Sequence, residues 1–159
     1  MSEHLVGVLA IQGSFLEHLV ALSHLPNVRP LPVKDAATLE QVERLIIPGG
    51  ESTTMGKILM RTGLDTLLRQ RIAAGMPVWG TCAGMILLAQ KIIDEQPHLN
   101  LMDIVVRRNA YGNQLDSFTT TQLIPTVAAE PIPLVFIRAP WVEQVGPNVS
   151  VLAEHKGKI

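Results

Sequence analysis

The 159 residues contain one cysteine, Cys82, so no internal disulfide can form. Five histidines, His4, His18, His24, His98 and His155, are scattered without metal-ligand spacing, which argues against a structural zinc site. No Lys/Arg cluster is larger than the one in "VVRRN", and the formal net charge is only -1. The electrostatic footprint of a nucleic-acid partner is missing. The chain also lacks a long apolar run. Its start, "MSEHLVGVLAIQG", is acidic rather than basic and too briefly apolar for a signal or membrane segment, so no membrane association and a cytoplasmic location are expected. No internal repeat, low-complexity tract or linker interrupts the sequence. At 47% hydrophobic and 17% charged, it can support one well-packed domain over residues 1–159.

Within that domain, "LVGVLAI" (residues 5–11) is a continuous apolar run, as expected of a strand buried on both faces of a parallel sheet. "SFLEHLVALSHL" predicts a helix with Ser14 as N-cap and Glu17 completing a capping box. "VRPLPV" predicts an edge strand, because Pro30 and Pro32 cannot donate to a ladder. A short helix in "DAATLEQV", a buried strand in "RLIIPGG", a helix entered through "ESTTMGKILMRTG" and another in "LDTLLRQRIAAG", capped by Gly75, follow. "MPVWGT" predicts the next strand and "AGMILLAQKII" the helix after it. This alternation argues for an α/β fold, a doubly wound, mostly parallel sheet flanked by helices. From Leu101 onward, "LMDIVVRRNAYG", "SFTTTQLI", "PLVFIRAP" and "VSVLAEHKG" predict shorter strands with no helix between them, an antiparallel addition in the C-terminal third.

Ligands of open α/β sheets bind outside the carboxyl ends of the strands, and two signals fall on that edge. One is "PGGES". The other is "GTCAG", where Cys82 on a tight strand-to-helix turn between Gly80 and Gly84 fits a nucleophile elbow. A free cysteine is usually just a small buried hydrophobe. In the elbow, the following helix N-terminus is expected to lower the thiol pKa, and the Ala83 N–H to donate to a developing oxyanion. Pro-Gly-Gly alone is more often a turn, but beside the elbow it becomes a second oxyanion donor and a substrate cradle. The arginines of "RRN" and Arg138 of "FIRAP" have the plainer reading of solvated surface residues.

"GVLAIQGSFLEH", "LIIPGGESTTMGK", "PVWGTCAGMILLA", "VVRRNAYGNQLDSF" and "VFIRAP" together resemble the glutaminase subunits of pyridoxal 5'-phosphate synthases, class I, triad-type glutamine amidotransferases. The resemblance implies that Cys82 attacks the side-chain amide of L-glutamine. It implies that Gly50, Glu51 and Ser52 contact glutamine and that Gly50 and Ala83 form the oxyanion hole. Arg108, Ile137 and Arg138 match further glutamine contacts, and Gln12 matches a segment that communicates with the synthase subunit. The implied partner is that barrel-shaped subunit, which receives the ammonia; no cofactor is implied for the glutaminase step.

The family pattern also includes a His-Pro-Glu segment carrying the general base and the carboxylate that orients it. No His-x-Glu occurs in these 159 residues, and "VLAEHKGKI" aligns just upstream of that segment. The resemblance therefore implies an amidotransferase-like domain without its last strand and helix, and turnover by this chain alone is not expected. His155 beside Glu154 is a poor substitute, since adjacent residues on a strand point to opposite faces. The alternatives are a catalytically inactive binding module that docks on the synthase, or an unrelated cysteine hydrolase or redox sensor on the same scaffold.

Overall fold

A computed structural model describes residues 3–108 and 117–159. The backbone contacts gather into two compact units, Met1–Leu88 and Ala89–Ile159, each described by itself.

In the first unit, β1 (His4–Leu9), β2 (Val28–Val33), β3 (Arg44–Ile47) and β4 (Val78–Gly80) form one sheet in the order β2-β1-β3-β4. Every pairing is parallel. The Pro-containing β2 takes the edge, as its missing N–H donors require. The helices are α1 (Phe15–Ser23), α2 (Ala36–Gln41), α3 (Ser52–Thr62), α4 (Leu64–Ala73) and α5 (Ala83–Leu88). Val8, Leu9 and Ile47 of the strands and Met55, Leu68 and Leu87 of the helices are fully buried. Removing that much apolar surface from water is the main stabilising term.

Two helix details bear on function. Ser14 precedes α1 but makes no side-chain cap; its hydroxyl donates instead to the Gly49 carbonyl at 3.3 Å. The expected capping box is thereby corrected, because a partner on another loop takes the Ser14 side chain. The helix expected across "AGMILLAQKII" ends at Leu88, and β5 (Ala89–Ile92) follows. Ala89 and Ile92 are buried while Gln90 and Lys91 are exposed, and pairing with a neighbouring strand outweighs helical propensity.

The second unit holds the sheet β5-β6-β9 and the pair β7-β8, with β6 at Met102–Arg107, β7 at Phe118–Gln122, β8 at Ile132–Phe136 and β9 at Trp141–Val145. β5 and β6 are parallel; β6–β9 and β7–β8 are antiparallel. The antiparallel addition is therefore present. The strand expected in "VSVLAEHKG" is not: the segment has one isolated bridge, His155 to Lys158, and the backbone of β6 pairs with "WVEQV" instead. Residues 109–116, which hold most of "NAYGNQLDSF", lie outside the described residues.

Candidate active site

The loops after β1, β3 and β4 meet at the carboxyl edge of the four-stranded sheet. Ile47 pairs with Gly80, so β3 and β4 end side by side, and the Thr81 N–H donates to the Ile47 carbonyl at 3.0 Å. From the β1 loop, the Ser14 N–H donates to the Gly49 carbonyl at 3.0 Å. The Gln12 Oε1 accepts from the Glu51 N–H at 2.9 Å. Three backbone segments are thus tied together before any ligand arrives.

Cys82 sits at φ +50, a left-handed conformation that a residue with a Cβ adopts only under constraint. The constraint is visible on both sides. The Thr81 carbonyl accepts from the Gly84 N–H at 2.8 Å, and the Cys82 carbonyl from the Ile86 N–H at 3.2 Å. A Cβ at Gly84 would collide with the Ile47 carbonyl, and one at Gly80 with the backbone of Gly84. Glycine is required at both positions for the turn to press against β3. Across the site, a Cβ at Gly49 would lie 3.5 Å from the Cβ of Cys82, which sets the Pro-Gly-Gly loop directly against the elbow.

Cys82 is exposed, unlike a packing cysteine. Desolvation nevertheless pushes its thiol above the ordinary value, and the bond from the Ala83 N–H draws it down by less. The expected lowering is corrected here. Helix dipoles sum head to tail, and α5 has only six residues. The raised pKa disfavours the thiolate, so a nucleophilic role needs a proton acceptor.

The Glu51 carboxylate is committed to capping α3: it accepts from the Thr53 N–H at 3.2 Å, the Thr54 N–H at 2.7 Å and the Thr54 hydroxyl at 2.7 Å. The Glu51 N–H is on Gln12 and its carbonyl accepts from the Met55 N–H at 2.9 Å, so the backbone this loop offers a ligand is that of Gly50. Ser52 is 2% exposed, and its hydroxyl has no hydrogen-bond partner among the described residues. Such an orphan costs about 1–3 kcal/mol.

Gln12, Gly50, Glu51, Ser52, Cys82 and Ala83 all belong to the first unit, around this edge. Arg108, Ile137 and Arg138 belong to the second. Arg108 Nη1 donates to both oxygens of Glu95, at 2.8 and 2.7 Å. Ile137 is exposed, and Arg138 adopts φ +46. His155 stacks on Phe118 with ring centroids 5.1 Å apart and on Phe136 at 6.2 Å, a packing role. Two contacts were not read from the sequence. Glu95 pairs with Arg108 across thirteen residues, and His18 Nε2 lies 3.4 Å from the Thr81 hydroxyl. The one available signal for His18 was its place one helical turn after Ser14.

A parallel α/β sheet with an exposed cysteine on a strained strand-to-helix turn defines the class of α/β proteins built around a nucleophile elbow. Residues 8–159 match the model of the SNO glutamine amidotransferase family, and the chain belongs to that family. It is 53% identical over 148 residues to the pyridoxal 5'-phosphate synthase subunit PdxT of Ruminiclostridium cellulolyticum, covering 92% of this chain and 78% of that protein. The subunit of the same name from Herpetosiphon aurantiacus is 55% identical over 152 residues, covering 93% and 80%. A crystal structure of a glutamine amidotransferase superposes with a TM-score of 0.86 at 40% identity, over 96% of this chain and 81% of that one.

Proposed function

We propose that the chain is the glutaminase subunit of a pyridoxal 5'-phosphate synthase, taking L-glutamine to L-glutamate and passing the ammonia to a barrel-shaped synthase subunit. The observation that carries this reading is the exposed Cys82 at φ +50 with the Ala83 N–H on its sulfur. Family membership and the printed names of the relatives support the reaction and the existence of a partner subunit. The match from residue 8 to residue 159 supports treating the whole as one amidotransferase-like domain. The cytoplasmic location belongs to the same reading.

In this mechanism the Cys82 sulfur loses its proton to a base and attacks the amide carbon of glutamine. The N–H groups of Ala83 and Gly50 hold the resulting oxyanion. Collapse expels ammonia, which carries away a proton, and leaves a glutamyl thioester that water hydrolyses to glutamate. Glu51 and Ser52 line the glutamine loop, Arg108, Ile137 and Arg138 supply further contacts, and Gln12 couples the loop to the partner.

Among the described residues no histidine hydrogen-bonds the Cys82 sulfur. His4 pairs with Glu43 at the start of β1, on the opposite edge of the sheet, and His24 is the C-cap residue of α1. Binding and thiol reactivity, however, require only groups present here. The test is iodoacetamide alkylation of Cys82 with and without L-glutamine. Protection by glutamine and not by asparagine is the expected result; equal alkylation in all three conditions overturns the reading.

A further inference from the structure

Backbone bonds occupy both the N–H and the carbonyl of Thr81, the former on Ile47 and the latter on Gly84. Its hydroxyl points away from that network to His18 of α1, 3.4 Å from Nε2. The His18 ring also meets the Trp79 ring edge to face, with centroids 5.9 Å apart and planes at 78°. Ser14, the residue just before α1, holds Gly49 through its N–H and its hydroxyl. The N-terminal end of α1 thus braces both loops of the candidate site, Ser14 on the Pro-Gly-Gly loop and His18 on the elbow.

We propose that His18 is a positioning residue for Cys82: through the Thr81 hydroxyl it holds the elbow in its left-handed turn and keeps the sulfur on the Ala83 N–H. His18 acts through Thr81, the residue before the nucleophile. Desolvation lowers its pKa, with Glu17 on the same helix opposing more weakly. Trp79 and Thr81, which also meet it among the described residues, are uncharged. The lowered pKa favours the neutral ring, which has one donor and one acceptor nitrogen, and either tautomer can bond a hydroxyl.

The proposal rests on Cys82 as the reactive thiol, and its test does not need turnover. Cys82 is the only cysteine, so iodoacetamide reports on it alone. The rate is measured against pH for the unaltered chain, His18→Ala, His18→Gln, Thr81→Val and the double variant His18→Ala/Thr81→Val. If the brace loosens, the Ala83 bond weakens and the thiol pKa climbs further. A fall of about fivefold in alkylation rate at neutral pH, with the apparent pKa raised by about 0.7 unit, is expected for His18→Ala and for Thr81→Val.

His18→Gln, whose amide can still bond the hydroxyl, is expected to recover most of the rate. The double variant should fall no further than either single one, as for two ends of one contact. Unchanged pH profiles in both single variants, or losses that add in the double variant, overturn the proposal. If His18→Ala fails the circular-dichroism check for folding, the near-isosteric Thr81→Val decides alone, and an unchanged profile there overturns it. Absence of glutamine protection in the unaltered chain would instead sink the proposed reaction and leave this comparison standing.

Discussion

The side-chain oxygen of Gln12 accepts the backbone N–H of Glu51 at 2.9 Å, so the loop after β1 orients the loop after β3. Gln12→Ala leaves that donor without its partner and removes a brace from the Gly50–Ser52 segment. The expected cost in stability is about 1 kcal/mol. Glutamine protection of Cys82 should weaken well beyond what that small loss explains, as read from the glutamine concentration that halves the alkylation rate.

The thiol of Cys82 is raised by desolvation, which fixes the sign of its pH dependence. Alkylation should increase with pH along a curve whose midpoint lies above that of the same cysteine in urea. Because the folded state favours the protonated thiol, this contribution to stability is complete below the unfolded thiol's pKa and is lost as pH rises through the folded value. A folded midpoint below the denatured one would contradict the desolvated elbow.

Glycine at position 84 answers to space. A Cβ there would run into the Ile47 carbonyl, whereas one at Gly63 meets nothing within 4 Å and is strained only by φ +73. Gly84→Ala should cost about 1–3 kcal/mol, by analogy with overpacked cores. Gly63→Ala should cost only about 1 kcal/mol, the penalty for the left-handed region. Thermal melts of the two variants, compared with the unaltered chain, give the ranking.

Arg108 and Glu95 form a partly exposed pair, with side-chain exposures of 23% and 38%. Pairs of this kind contribute about 0–1 kcal/mol. Arg108→Ala is therefore expected to leave the melting temperature nearly unchanged while reducing glutamine protection of Cys82. Retained protection would overturn the proposed contact of Arg108 with glutamine.

Much of this was written in local sequence. The apolar run before "QG", the prolines of β2, Gly75 after α4 and the glycines around Cys82 each report a backbone requirement that neighbouring residues alone impose. The parallel sheet and the elbow on its carboxyl edge followed from them. Tertiary structure decided what depends on partners distant in the chain. The pairing of β5 with β6 ended α5 at Leu88, and Gly49 drew Ser14 from its capping role. Desolvation, a property of everything packed around the sulfur, reversed the expected shift of Cys82. The contact of His18 with Thr81 spans sixty-three residues, and no local pattern encodes it.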